Sequence, residues 1–234
     1  MASADRSSHD EDIVFADRAD AGIRLAARLL KYRDQNAVVL GVPRGGVPVA
    51  FEVARALNAP LDVIIVRKLG APGQPELGVG AVLDGDHAET ILNREMVSAL
   101  RVSRDYLARE IRHQLKEIHR RNLVYRSGRA RIELKDRTVI LVDDGIATGG
   151  SIRAALRGIR QQGSKRVVLA IPVAPADTIE SLRDEADEIV CLSAPPTFFG
   201  IGEFYADFHQ LTDAEVIPLL ARARPEQPSA EARH

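Results

Sequence analysis

The sequence predicts an α/β fold, a Rossmann-like open and mainly parallel sheet with helices on both faces, a long inserted amphipathic helix and a small hood. Short apolar runs rich in β-branched residues are nearly continuous, which is typical of strands buried on both faces. Helical patterns separate most of these runs, and this alternation indicates parallel strands. A chain of 234 residues with 45% hydrophobic residues can also bury one large core.

The predicted core alternates strands and helices along the chain. The strands are expected at residues 37–42, 61–66, 138–142, 166–173 and 188–192. The helices are expected at residues 18–32, 47–58, 149–162 and 176–186. Because ligands of open parallel sheets bind beyond the carboxyl ends of the strands, the functional residues should follow these strands.

Residues 93–125 interrupt the alternation, because this segment is too long for a simple crossover. Its apolar residues recur at helical spacing, which predicts one long amphipathic helix. They are Met96, Leu100, Leu107, Ile111, Leu115 and Ile118. The other face is basic between Arg101 and Arg121. A solvated face over a packing stripe is the favoured interpretation, and contact with an anionic ligand or RNA is the alternative.

Composition limits the class of protein. Residues 13–222 contain no repeat or linker and are expected to form one domain, whereas residues 1–12 and 223–234 have the composition of disordered tails. A net charge of -1 excludes a global attraction to nucleic acid or anionic membranes. The lone Cys191 cannot form an intramolecular disulfide, and no apolar run is long enough for a signal peptide or a membrane span. We therefore expect a cytoplasmic protein with no membrane partner.

The stretch VILVDDGIATGGS carries the strongest chemical signal. Asp143 and Asp144 follow a buried strand, where adjacent carboxylates need a diol, a metal ion or a basic group to hold them. The small residues that follow, with Thr148 and Ser151, precede a helix and predict an anion-binding turn. The stretch would thus offer hydrogen-bond acceptors for sugar hydroxyls next to hydrogen-bond donors for a phosphate. This arrangement complements a ribose 5-phosphate. An acidic pair of the receiver-domain type and a purely structural turn are weaker alternatives. The patterns of P-loop and dinucleotide-binding sites are missing from the sequence.

This stretch resembles the signature of the type I phosphoribosyltransferases, in which an apolar strand, two acidic residues and three variable residues precede Thr-Gly. The resemblance implies that Asp143 and Asp144 hold the 2- and 3-hydroxyls of phosphoribosyl pyrophosphate. It also implies a loop around the 5-phosphate of that donor. The loop consists of Gly145, Ile146, Ala147, Thr148, Gly149, Gly150 and Ser151.

The resemblance implies a second loop, for pyrophosphate, after the first strand. Arg44, Gly45 and Gly46 occupy this position, and the bond between Pro43 and Arg44 is a candidate for a cis peptide. A tight turn with a surface arginine is the alternative.

Two more cations follow the second strand. Arg67 and Lys68 resemble the Arg-Lys pair of adenine-type enzymes, so that Arg44, Arg67 and Lys68 become the catalytic candidates that stabilise leaving pyrophosphate. A solvated loop is the alternative. The glycine-rich residues 75–87 are expected to include a mobile lid, and His87 within them is expected to be solvated rather than catalytic.

Acceptor specificity is expected to come from the hood. Where 6-oxopurine enzymes of the family carry a third aspartate, this chain has Ala147, so it resembles the adenine, xanthine and uracil branches instead. Phe15 and Arg18 are hood candidates, and Phe198, Phe199 and Tyr205 are candidates for stacking on a planar base. Core or dimer packing is the favoured alternative for these aromatic residues.

The resemblance as a whole implies a pentosyltransferase of nucleotide salvage, a homodimer, that moves ribose 5-phosphate from phosphoribosyl pyrophosphate to a heterocyclic nitrogen. Mg²⁺ is expected to bind through the substrate and water, with no direct protein ligand. One alternative is a catalytically silent regulator that senses phosphoribosyl pyrophosphate and binds RNA through the basic helix. Another is a phosphosugar hydrolase or isomerase, since a fold and a phosphate site do not determine the reaction.

Overall fold

The computed structural model describes residues 14–84 and 89–223. Its strands are β1 (Ala37–Gly41), β2 (Leu61–Val63), β3 (Val66–Ala71), β4 (Gln74–Leu83), β5 (Glu89–Leu92), β6 (Thr138–Val142), β7 (Arg166–Val173) and β8 (Glu188–Ser193). Its helices are α1 (Arg18–Leu29), α2 (Gly46–Leu57), α3 (Arg94–Ala99), α4 (Arg104–Arg126), α5 (Gly150–Gln161), α6 (Ala176–Ser181) and α7 (Asp213–Arg222).

A five-stranded parallel sheet forms the centre, in the order β2-β1-β6-β7-β8. Because successive side chains of a strand point to opposite faces, each strand supplies both core layers. Val39 and Ile140 pack in the layer that contains α1, α2 and α4, whereas Val38 and Leu141 pack in the layer of α5. The predicted parallel sheet with helices on both faces is therefore confirmed.

A second, antiparallel sheet of β3, β4 and β5 corrects one predicted strand. The run 61–66 is not one strand, because it ends at Val63 and a new strand begins at Val66 in the other sheet. The glycine-rich segment expected as a lid is mostly strand β4. Glycine usually weakens a strand, but a Cβ on Gly80 would lie 2.5 Å from the carbonyl oxygen of Ile91, so close strand packing requires glycine here. His87 lies outside the described residues.

The predicted helix over 93–125 is also wrong as a single element, because the segment forms α3 and α4. Arg101 has a left-handed φ of 48°, which ends the first helix. The Ser103 side chain then caps the second by accepting from the backbone N–H of Tyr106. None of the helices in the described part of the chain has the length and apolar content that crossing a bilayer requires.

A buried ion cluster joins the two sheets at the end of α4. The Arg126 guanidinium donates to Asp62 on β2 at 3.1 Å and to Asp84, after β4, at 2.7 Å. The carboxylates also accept backbone N–H groups, from Ile132 to Asp62 and from Ile65 to Asp84. The cluster therefore holds α4 and the antiparallel sheet in one position on the central sheet.

Replacing Arg126 by methionine should lower the free energy of unfolding by about 3–5 kcal/mol, because the buried carboxylates of Asp62 and Asp84 lose the Arg126 guanidinium, although Arg131 still contacts Asp84 at 3.3 Å. Urea denaturation measures the change. The exposed Arg129→Gln, three residues further on, is the matched control and should stay within about 1 kcal/mol of the wild type. Equal stability of the two variants would contradict the structural role of the cluster.

Candidate functional site

The site lies at the carboxyl ends of β1 and β6, which are neighbouring parallel strands. Gly41 is in register with Val142, and the backbone N–H of Val42 donates to the carbonyl oxygen of Val142. The loop after β1 and the loop after β6 therefore leave the sheet side by side. The structure thus brings together the two loops that the sequence analysis assigned to pyrophosphate and to ribose 5-phosphate.

Two glycines allow the acidic pair to lie against the first loop. A Cβ on Gly45 would lie 2.0 Å from Oδ2 of Asp144, and a Cβ on Gly46 would lie 2.8 Å from the Cα of Asp143. The peptide bond between Pro43 and Arg44 is cis, as predicted. Gly45 and Gly46 are therefore required by close approach of the two loops.

Asp144 is buried in an ion pair. Nε of Arg18, on α1, donates to Oδ2 of Asp144 at 2.8 Å. The guanidinium also donates to the carbonyl oxygen of His209 and lies 4.0 Å from the ring centroid of Phe208. The Tyr205 hydroxyl donates to the carbonyl oxygen of Asp144. The Asp144 carboxylate is thus held in place by α1 and by the segment before α7.

Asp143 differs from its neighbour, since it is only partly buried and has no ion-pair partner among the described residues. Its Oδ1 accepts from the backbone N–H of Asp144 at 2.9 Å. Burial of the carboxyl group and the adjacent Asp144 carboxylate raise the pKa of Asp143 well above its ordinary value, with Arg18 acting in the opposite direction. Asp143 is therefore the carboxylate of the pair that is not held in an ion pair by a described residue.

The second loop ends at the N-terminus of α5. Ile146 is buried, whereas Ala147, Thr148, Gly150 and Ser151 are exposed. Gly149 has a φ of 73° and is the N-cap residue. The Thr178 hydroxyl donates to the carbonyl oxygen of Ala147 at 2.8 Å and steadies the turn. Exposed N–H groups at a helix N-terminus can bind an anion, which fits the predicted phosphate role.

The three candidate cations take different positions. Arg44 is partly exposed, and its guanidinium lies 3.9 Å from Asp213 at the start of α7. Arg67 and Lys68 are adjacent on β3 and point to opposite faces. Arg67 donates to the Gln114 side chain on α4, whereas Lys68 lines a cavity together with the loop before α5. The structure thus places Lys68, but not Arg67, beside the loop before α5. We call residues 145–151 the phosphate loop, after the role that the sequence predicts for them. The catalytic roles of the three cations stay predictions.

The aromatic hood residues are mainly packed against one another. Phe15 and Tyr205 are buried with their ring centroids 5.3 Å apart, and Phe198 stacks on Phe204. Phe199 is the exception, with 84% of its surface exposed. Phe198 and Tyr205 therefore serve packing in this structure, and binding of an acceptor by the three candidate rings stays a prediction.

The sequence analysis missed the partner of Asp144. It placed Arg18 among the hood residues but had no signal for a contact across 126 positions. It also left the basic helix open to two interpretations. On α4, Arg120 and Arg121 donate to Glu117, which lowers the pKa of that carboxyl to about 2. Part of the basic charge is thus already paired.

Comparison with known proteins gives a consistent result. A family model described as a phosphoribosyl transferase domain matches residues 15–209. A Mycobacterium tuberculosis protein, named only provisionally as a phosphoribosyl transferase, is 47% identical over 210 residues, 90% of this chain. The crystal structure of TT1426 from Thermus thermophilus covers 91% of this chain and 100% of its own, with 44% identity and a TM-score of 0.79.

These similarities differ in extent. The chain spans 47% of the Mycobacterium tuberculosis protein, about half the length of that curated relative. A ribose-phosphate pyrophosphokinase from Methanopyrus kandleri is 32% identical over 145 residues, which is 51% of this chain and 47% of that protein.

Gly45→Ala should lower the free energy of unfolding by about 1–3 kcal/mol, because the new methyl group overlaps the Asp144 carboxylate. The backbone of Gly45 is right-handed, so conformation alone would tolerate alanine. Urea denaturation measures the loss. Gly200→Ala is the control, since a Cβ there meets no heavy atom within 4 Å. A loss of equal size in both variants would contradict the steric explanation.

Asp143→Asn should stabilise the ligand-free protein in a pH-dependent way. The pKa of Asp143 is raised in the folded state, whereas the unfolded chain releases the proton near the ordinary aspartate pKa of about 3.9. Between these two pKa values the folded protein therefore keeps a proton on Asp143 that the unfolded chain has lost. The contribution of Asp143 to the free energy of unfolding therefore decreases as the pH rises from the pKa of the unfolded state to the pKa of the folded state. Asparagine does not titrate, so the variant does not lose this stability. Urea denaturation across pH should show equal stability at the acid end and a more stable variant above it. A difference that does not change with pH would contradict the raised pKa.

Proposed function

The chain belongs to the phosphoribosyl transferase domain family, and from this premise we propose that it transfers ribose 5-phosphate from phosphoribosyl pyrophosphate to a nucleobase-like acceptor. The single observation that carries the proposal is the adjacency of three features at one sheet edge. The features are the carboxylate of Asp143, which has no ion-pair partner among the described residues, the exposed turn before α5 and the loop at Gly45. They complement a sugar diol, a 5-phosphate and a second anion. The Methanopyrus relative is named for ribose phosphate as well, which supports a phosphorylated ribose as ligand.

The reaction breaks the bond between C1 of the ribose and pyrophosphate and forms a bond from C1 to a ring nitrogen of the acceptor. The acceptor's proton leaves with solvent or with the released pyrophosphate, and no covalent enzyme intermediate is needed. In this proposal Asp143 accepts the ribose hydroxyls, while Asp144 stays bound to Arg18 and fixes the position of its neighbour. The contribution of the protein is then orientation of the donor and stabilisation of developing charge.

The departing pyrophosphate would be stabilised by cations that are already near the site. Arg44 follows β1 directly, and Lys68 faces the loop before α5. Arg67 would have to exchange its bond to Gln114 before it could contribute. We therefore rank Arg44 and Lys68 above Arg67 as catalytic residues.

Mg²⁺ fits this site as a partner of the substrate. Among residues 14–84 and 89–223, no three His, Cys, Asp or Glu side chains are grouped as metal ligands, and the Asp144 carboxylate is engaged by Arg18. In this proposal the ion would bind through the substrate and water, beside Asp143. When bound, it would neutralise charge on the leaving group. Ala147 favours an acceptor outside the 6-oxopurines, and we propose a homodimer as the working form.

Isothermal titration should show that the protein binds phosphoribosyl pyrophosphate in the presence of Mg²⁺. When a panel of purines and pyrimidines is then supplied, the protein should release pyrophosphate with at least one of these bases. Asp143→Asn should lower transfer by at least about tenfold, because an oxygen that accepts from the ribose hydroxyls is replaced by an amide nitrogen that can only donate. Exposed Asp105→Asn, on α4, should keep wild-type transfer. Absence of binding to the wild type would overturn the proposal.

The same experiment separates the rival functions. If the protein bound phosphoribosyl pyrophosphate but transferred ribose 5-phosphate to no base, and also bound RNA in a salt-sensitive way, the regulator hypothesis would replace the enzyme hypothesis. Consumption of the donor without an acceptor would indicate a hydrolase. Asp143→Asn is preferred to a change at Asp144, because removing Asp144 would leave Arg18 buried without its counter-ion.

A further inference from the structure

A groove runs along α5 away from the phosphate loop, and we call it the α5 groove. It has a volume of about 400 Å³. Thr148, Gly150 and Ser151 line its upper end, and Ala154 and Arg157 continue the same face of the helix. Arg157 lies seven positions after Gly150, which corresponds to about 10 Å along the helix axis. The groove is therefore much longer than one phosphate group.

The opposite wall of the α5 groove belongs to the antiparallel sheet. Gly78 and Gly80, on β4, leave space beside the helix, and Ile91 and Leu92 close the wall on β5. A Cβ on Gly78 would meet only the aliphatic part of the Lys68 side chain, at 3.6 Å. The width of the groove thus depends on the way this sheet packs on α5.

The electrostatics of the α5 groove favour an anion along its whole length. Lys68, Arg153 and Arg157 line it, and no carboxylate does so among the side chains that the structure describes. Within the described part of the chain, Arg153 and Arg157 share Glu185 as their counter-ion. Both guanidinium groups donate to the Glu185 carboxylate, and Arg153 also donates to the Ser181 hydroxyl, so a bound anion would share these cations with Glu185. Two cations with one carboxylate leave a net positive charge below the phosphate loop.

We infer that the α5 groove binds the phosphate chain of a nucleoside 5′-triphosphate, with the 5′-phosphate on the loop before α5 and the outer phosphates toward Arg153 and Arg157. The inference rests on the proposed function, because that function places a 5-phosphate on the loop. A nucleotide held in this way overlaps the 5-phosphate of phosphoribosyl pyrophosphate. Triphosphates are then competitive inhibitors that are stronger than the corresponding monophosphates.

The test compares affinities by isothermal titration at constant free Mg²⁺. The probes are ribose 5-phosphate, AMP, ATP, GMP and GTP. The wild type should bind at least one triphosphate about tenfold or more tightly than its monophosphate, because charged hydrogen bonds to the outer phosphates are added. In Arg157→Gln the preference should fall to about threefold or less, while ribose 5-phosphate binds as before.

Arg160→Gln is the matched control. Arg160 lies three residues further along α5, outside the groove, with 47% of its side chain exposed compared with 48% for Arg157. Each of the two arginines pairs with one carboxylate. Arg160→Gln should keep the full preference for the triphosphate. If it lost the preference equally, general surface charge would explain the binding and the inference would fail.

A second variant narrows the α5 groove without changing charge. Ala154→Leu places a larger side chain in the groove below the loop. It should weaken triphosphate binding by about tenfold and leave ribose 5-phosphate binding within about threefold of the wild type. Circular dichroism checks that the variants fold.

The outcomes distinguish this inference from the proposed function. Failure of ribose 5-phosphate and phosphoribosyl pyrophosphate to bind the wild type would overturn both. Binding of these ligands, with triphosphates no tighter than monophosphates, would overturn the groove inference alone. A triphosphate preference that survives in both Arg157→Gln and Ala154→Leu would do the same.

Discussion

The buried ion pair of Arg18 and Asp144 is the interaction on which the site depends. Two adjacent carboxylates at the end of a buried strand repel each other, and Arg18 compensates one of them at 2.8 Å. The same guanidinium contacts Phe208 and the carbonyl oxygen of His209, so the first helix, the β6 loop and the chain before α7 meet at one cation. Asp143, in contrast, has no ion-pair partner among the described residues.

The Arg126 cluster has the corresponding role for the antiparallel sheet. It joins β2, the end of β4 and α4 through buried charges whose hydrogen bonds are extensively satisfied. Such clusters define position more than they add stability, since a desolvated ion pair recovers little net free energy. Here the position matters, because it holds β3 and β4 against α5 and so shapes the α5 groove between the phosphate loop and Arg157.

The sequence predicted strands and helices well where a short pattern of apolar residues defines them. The strands Thr138–Val142 and Arg166–Val173 have the predicted bounds, because continuous apolar runs leave little choice in a doubly covered sheet. It predicted poorly where tertiary packing overrides propensity. Strand β4 contains Gly80, which the close approach of β5 explains, and the helical period through Leu100 hid a break at Arg101. Helix α7 was not predicted at all, although Thr212 and Glu215 form a capping box there.

By itself, the sequence determined the fold class, the family resemblance and the two loops that meet at the site, because these depend on short-range pattern and on the common edge of parallel strands. Only the tertiary structure decided which charges meet. Arg18 and Asp144 are 126 positions apart, and Arg67 and Lys68, although adjacent, diverge to opposite faces of β3. The physical reason is that ion pairing follows from the way helices and sheets pack, and no local period in the chain encodes that packing.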